Sequence, residues 1–141
     1  MKDFGYCIWF LPKNTKWNTF TNGFISHMTI KHSLTLSEAQ NIYSKLNCIS
    51  KTVKLINNYT LSCEDNFHAL YYTLEKIDNK PEWWPDNAHV SFLYKYKEQI
   101  TNSEISNHHI HNISKICTFD KIALVDCNNK HFKDWKIIKS K

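Results

Sequence analysis

Hydrophobic and polar positions change their period along this chain, and they predict a mixture of strands and helices. Residues 5–11 form an unbroken apolar run that ends at a proline, which predicts a buried strand. Residues 34–46 place apolar side chains three and four positions apart behind Thr35 or Ser37, either a suitable N-cap, and predict a helix. The same rules predict strands at 24–32, 52–61, 67–77 and 89–96, a mostly helical segment at 101–116, and a closing hairpin of 119–125 and 135–138.

The predicted order is β, β, α, β, β followed by β, α, β, β, so each half of the chain contains one helix. This order predicts an α+β fold with two lobes, in which two antiparallel sheets each carry a packed helix and are related by a pseudo-two-fold axis. A length of 141 residues corresponds to one domain. We therefore expect residues 1–141 to form a single bilobal domain with the active site in a central cleft.

Composition and charge narrow the class of protein. A hydrophobic fraction of 42% and an aromatic fraction of 14% are typical of a folded globular domain. All 18 basic residues are lysine and the net charge is +5. This charge favours polyanionic partners such as nucleotides, but no arginine is present to bind a phosphate bidentately.

Location is indicated by what the chain lacks. It has no apolar run long enough to span a membrane and no secretion signal at its N-terminus. Its five cysteines have no paired spacing, which is typical of free thiols in a reducing compartment. We expect a cytoplasmic protein, or one acting in host cytoplasm if the heavy use of Asn, Ile and Lys marks a virus with an AT-rich genome.

Two triplets, residues 27–29 (HMT) and 89–91 (HVS), carry the strongest indication of chemistry. Each lies in a predicted strand, where residues i and i+2 share a face, so each places an imidazole beside a hydroxyl. With eight histidines in the chain, about one such triplet is expected by chance. Their position matters more than their number, because both triplets lie in apolar strands that directly precede a predicted helix.

These motifs resemble those of the two-histidine phosphoesterase superfamily, which includes bacterial 2′-5′ RNA ligase-like proteins and the cyclic phosphodiesterases of plants and yeast. The segments SHMTI and HVSFLY are similar to the family signature of two H-x-[ST]-x motifs. In the cyclic phosphodiesterases the second motif continues as H-x-S-x-x-Y, matched here by His89, Ser91 and Tyr94. The opening segment GYCIWFLP and the C-terminal stretch from IALVDCNN to WKII also resemble that family.

A mechanism follows from the residue types. Histidine has an ordinary pKa near 6.5, so two imidazoles can deprotonate an attacking oxygen and protonate a leaving oxygen. We predict that His27 and His89 are this acid/base pair, in either order. Thr29 and Ser91 would hydrogen-bond the non-bridging phosphate oxygens. The resemblance assigns substrate binding to Tyr94, although strict alternation places it on the face opposite His89 unless the strand contains a bulge or ends before it.

Other residues are candidates for substrate binding. Trp83 and Trp84, in a polar loop beside the second motif, either stack a nucleobase or pack in the core or on edge surface. Lys31 either reaches a phosphate or is an ordinary solvated lysine. The cluster of His108, His109 and His111 suggests a metal site on a helix, but without an acidic or cysteine ligand at matching spacing a polar helix face is the default interpretation.

The function predicted is hydrolysis of a cyclic nucleotide phosphate or a small oligonucleotide, without metal or other cofactor. Candidate substrates are 2′,3′-cyclic phosphates, 2′-5′ oligoadenylates and cyclic dinucleotides; some viral members of the superfamily degrade the last two to blunt immune signalling. We expect no membrane and no obligate protein partner. The alternative is a non-catalytic nucleotide or RNA-binding protein, which basic charge and aromatic residues also favour.

Overall fold

The computed structural model describes residues 4–107, 114–128 and 131–141. The predicted α+β class is confirmed, with seven strands and two α-helices in the described part of the chain. The elements are β1 Tyr6–Pro12, β2 Met28–Leu34, α1 Leu36–Lys45, β3 Lys51–Glu64, β4 Phe67–Leu74, β5 His89–Tyr96, α2 Asn102–Asn107, β6 Ile116–Asp126 and β7 Lys136–Ser140, with 3-10 turns at Thr15–Phe20 and Phe132–Asp134.

All the strand pairings are antiparallel and join the strands in the order β1-β2-β5-β4-β3-β6-β7. β1 also pairs with β6, so the first six strands form a closed circuit of pairings. β2 and β5 close this circuit through the single pair Met28 and Val90. The division into two lobes with separate sheets stays a prediction, since every strand belongs to this one network.

Local sequence explains where the elements begin and end. The Thr35 side chain accepts from the Glu38 N–H and the Glu38 carboxylate accepts from the Thr35 N–H, a capping box that starts α1. β3 runs further than predicted, to Glu64, because Asp65 and Asn66 with φ of 50° and 63° make a two-residue turn into β4.

The second predicted helix begins as expected but ends differently. Thr101 caps its start, because the Thr101 hydroxyl accepts from the Glu104 N–H and the Glu104 carboxylate accepts in return from the Thr101 N–H. At the far end of the predicted segment, Ile116 begins β6 and pairs with Lys54 of β3. The described part of the helix is Asn102–Asn107.

β1 is buried on both faces, as its unbroken apolar run predicts. Ile8 and Phe10 belong to the main core, which also contains residues of α1. Cys7 and Trp9 face the other side and pack in a smaller cluster with residues of β6. The face of β1 that carries Ile8 and Phe10 therefore packs in the main core. The opposite face, which carries Cys7 and Trp9, lies on the side of the candidate site.

Among the described residues, no helix is long and apolar enough to cross a membrane.

Candidate active site

The two triplets meet where β2 joins β5. Met28 and Val90 are paired in antiparallel register, and both side chains are fully buried in the main core. Because side chains alternate along a strand and paired residues share a face, the residues flanking this pair project from the opposite face. These flanking residues are the four polar members of the triplets: His27, Thr29, His89 and Ser91.

A bulge after Ser91 turns Tyr94 toward the same face. Consecutive residues 70–71 of β4 pair with Leu93 and Ser91, so Phe92 is an extra residue in β5. Both Phe92 and Leu93 then pack in the main core, and the alternation shifts by one position. Tyr94 consequently joins the residues that line the pocket with the two imidazoles.

A second bulge occurs at the equivalent place in β2, and it changes which side chain beyond Thr29 faces the pocket. Consecutive residues 8–9 of β1 pair with Lys31 and Thr29, so Ile30 is the extra residue. Lys31 pairs with Ile8, so it lies on the face of the sheet that carries the main core, and its side chain is exposed. The next residue, His32, lines the pocket. The structure therefore does not bring Lys31 to the site and brings His32 in its place.

The pocket has a volume of about 200 Å³. It contains four of the residues identified from sequence and several that sequence reasoning missed. The lining includes His27, Thr29, His89, Tyr94, His32 and Trp9. Ser91 is 6% exposed and is not among the lining residues; its hydroxyl hydrogen-bonds the Tyr94 phenol instead.

Equivalent hydrogen bonds to the backbone orient the two imidazoles. Nδ1–H of His27 donates to the carbonyl oxygen of Ile25 at 2.7 Å, and Nδ1–H of His89 donates to that of Asn87 at 2.8 Å. A carbonyl oxygen can only accept, so each Nδ1 carries a proton and each neutral ring has its lone pair on Nε2. In the part of the chain that the structure describes, neither Nε2 has a hydrogen-bond partner.

Burial makes the two histidines unequal. His27 is 4% exposed, and its ring stacks on Trp9 with centroids 3.6 Å apart and planes 7° from parallel. Desolvation lowers the pKa of His27 from 6.5 to about 4, with a further lowering by the His89 imidazole that the hydrogen bond to Ile25 partly offsets. His89 is more exposed and contacts Tyr71, with centroids 4.7 Å apart.

Tyr94 is held by its backbone as well as its ring. The Asn22 amide donates to the Tyr94 carbonyl at 2.6 Å and accepts from the Tyr94 N–H at 3.0 Å, as a neighbouring strand would. The phenol is 8% exposed, and burial raises its pKa while the hydrogen bond with Ser91 works against that rise. Tyr94 is therefore a neutral donor at physiological pH, fixed at one side of the pocket.

Trp83 and Trp84 lie away from the pocket. Their rings pack on Phe10, at centroid distances of 5.1 Å and 6.0 Å, and Trp84 is only 6% exposed within the main core. Phe10 is on the face of β1 opposite Trp9, so both indoles are on the core side of the strand. Of the two interpretations, the placement matches packing rather than base stacking.

Nothing in the described ranges forms a group of three or more His, Cys, Asp or Glu residues able to hold a metal ion. The suggested metal cluster of His108, His109 and His111 lies outside the described residues.

Sequence reasoning missed Trp9, His32 and Glu64, all of which line the pocket. His32 stands three positions after Thr29, just as Tyr94 stands three after Ser91, so the repeated spacing was the available indication. Trp9 had none, because its contact with His27 depends on how β1 pairs with β2.

No protein-family model matches this chain, and no curated protein is significantly similar to it.

Proposed function

We propose that this protein is a phosphodiesterase of the two-histidine phosphoesterase type, which hydrolyses a cyclic nucleotide phosphate or a small oligonucleotide. The observation that carries the proposal is the matched orientation of His27 and His89. Each donates from Nδ1 to the carbonyl oxygen two residues earlier, and both line one pocket. Two Nε2 atoms held this way supply one proton acceptor and one proton donor, which is what hydrolysis of a phosphodiester needs.

The unequal burial favours one assignment of roles. Because its pKa lies at about 4, His27 is neutral near pH 7 and its Nε2 lone pair accepts a proton from the attacking water. The water oxygen bonds to phosphorus, the bond from phosphorus to the leaving oxygen breaks, and His89 in its protonated form donates a proton to that oxygen. The more exposed ring is suited to the acid role, since solvent returns its proton after each turnover.

Two hydroxyl groups would bind the non-bridging oxygens, where negative charge develops. Thr29 lines the pocket with the two imidazoles and would donate from β2. From β5 the donor is the Tyr94 phenol, with Ser91 behind it as the group that orients it. This differs from the role that the motif alone gives Ser91, which is direct contact with the phosphate.

The same geometry supports a two-lobed arrangement with the pocket as its cleft. The antiparallel pair Met28 and Val90 relates the two triplets by a local two-fold axis, and each triplet is followed by a bulge, at Ile30 and at Phe92. A repeated imidazole, hydroxyl and bulge in the two halves of the chain is consistent with a pseudo-two-fold arrangement of the site.

A direct assay tests the proposal. Purified protein is incubated with 2′,3′-cyclic nucleotides, 2′-5′ oligoadenylates and cyclic dinucleotides, beside His27→Ala, His89→Ala and the control His68→Ala, a half-buried histidine on β4 that is not among the residues lining this pocket. We expect at least one substrate to be cleaved, with losses of about 10²- to 10⁴-fold in the first two variants only. Equal cleavage by wild type and all variants, or none of any compound, would contradict the proposal.

The alternative is a nucleotide or RNA-binding protein without turnover, which the net charge of +5 favours. Such a protein would bind the same compounds with no product, and its affinity would not require either imidazole to be titratable.

A further inference from the structure

In the proposed reaction, the described lining of the pocket supplies a phosphate with one positive charge from the two triplets, the proton on His89. Among its described lining residues there is no lysine, and Lys31 is turned away by the bulge at Ile30. The low pKa of His27 leaves that ring uncharged near pH 7, and a proton on His89 leaves with the product oxygen in the proposed reaction.

His32 is the remaining lining residue that can carry positive charge. Its side chain is exposed, and Nδ1 hydrogen-bonds the Ser33 hydroxyl at 2.8 Å. Its Nε2 makes no hydrogen bond to any residue that the structure describes. Nδ1 of His32 is therefore hydrogen-bonded while Nε2 is available to a ligand, as in the two imidazoles of the triplets.

The backbone around His32 is shaped to present it. Between the pairs formed by Tyr6 and Ile8, β2 has two residues opposite one in β1, so 32–33 form another bulge. Ser33 adopts a φ of 60°, and its N–H donates to the carbonyl of Phe4 at 2.7 Å. A non-glycine residue in this conformation costs free energy, which the surrounding contacts must offset, and such strain occurs preferentially at functional sites.

The position also matches that of Tyr94 in the other half of the site. Each residue stands three after the triplet hydroxyl, beyond a one-residue bulge, and each lines the pocket. The local two-fold relation therefore places one further polar side chain on each side of the imidazole pair.

We propose that His32 is a third histidine of the site, a substrate-binding residue that contacts the phosphate group through Nε2 and supplies positive charge to it. The inference rests on the proposed function only in sharing its pocket, because it concerns binding of phosphate and not turnover. A histidine in this role replaces the arginine that the chain does not contain.

The test measures phosphate binding directly. The full chain is titrated with inorganic phosphate at pH 6.0 while the imidazole Hε1 signals are followed by NMR, with adenosine as a phosphate-free comparison. We expect the His32 signal to move with that of His89 on adding phosphate and to stay in place with adenosine. Phosphate affinity should fall about tenfold in His32→Gln, recover within about threefold in His32→Lys, and stay unchanged in the neighbouring control Lys31→Gln.

Each other outcome decides against the inference: a stationary His32 signal, no phosphate binding at all, or an equal loss in Lys31→Gln, which would reflect net charge alone. The same variants separate it from the proposed function. Loss of phosphate binding in His32→Gln without cleavage of any diester would support the inference and contradict hydrolysis. Cleavage with an unchanged KM in His32→Gln would contradict the inference and leave hydrolysis standing.

Discussion

Trp9 covers one face of the His27 imidazole, with ring centroids 3.6 Å apart and an interplanar angle of 7°. Trp9 itself is 2% exposed, so the pair is buried together between β1 and the start of β2. The contact removes water from an ionisable ring, and desolvation is the largest cause of its low pKa. The chemistry proposed for His27 therefore depends on a tryptophan from another strand.

Replacing Trp9 should raise the pKa of His27. In Trp9→Leu the ring regains contact with water, so we expect its pKa to move from about 4 toward the ordinary 6.5. The measurement is an NMR titration of the His27 Hε1 signal. Trp83→Leu, on the core side of β1, is the matched control and should leave the titration unchanged. A His27 pKa that stays near 4 in Trp9→Leu would show that stacking is not what desolvates it.

Stability should depend on pH through His27. The unfolded chain takes up this proton near pH 6.5, whereas the folded protein takes it up only near pH 4. The free energy of unfolding should therefore be unaffected by this proton above about pH 6.5, and it should fall by about 3 kcal/mol as the pH drops to about 4. Urea unfolding of wild type and His27→Gln at pH 7.5 and pH 4.5 measures it. The variant should lose less free energy of unfolding between these pH values than wild type does; equal losses would contradict the buried, neutral state.

Tyr94→Phe should weaken both the fold and the proposed activity. The change leaves the buried Ser91 hydroxyl without its phenol partner, which should lower the free energy of unfolding by about 1 kcal/mol. If the phenol binds a phosphate oxygen, kcat/KM should fall about tenfold as well. Tyr72→Phe, a buried phenol on β4, is the control and should leave cleavage intact. Unchanged kcat/KM in Tyr94→Phe would contradict phosphate binding by Tyr94 and would favour direct contact of Ser91 with the phosphate.

The capping box of α1 offers a test of the fold that is independent of the site. Thr35→Ala removes the acceptor for the Glu38 N–H and should lower the free energy of unfolding by about 1 kcal/mol. Thr35→Ser keeps a hydroxyl and should recover most of that loss. Neither variant should change phosphate binding or cleavage, because the helix start lies outside the pocket lining. Thermal or urea unfolding measures the first effect and the binding assay the second.

Local patterns were enough to predict most elements and the centre of the site. β1, α1, β5 and the closing pair β6 and β7 all have periodicities set by neighbours within one segment, and each is confirmed. The i to i+2 spacing also placed His27 beside Thr29 and His89 beside Ser91, since alternation is a property of the strand alone.

Pairing between strands decided the rest. A bulge exists only relative to a partner strand, so sequence periodicity could not predict that Ile30 and Phe92 are extra residues. Each bulge reverses the alternation beyond it, which moves Lys31 out of the pocket and brings His32 and Tyr94 in. In the same way, Trp83 and Trp84 are loop residues whose neighbour, Phe10, is more than 70 positions away along the chain. The residue types of the site follow from its strands, whereas the set of side chains that share the pocket follows from how those strands are joined.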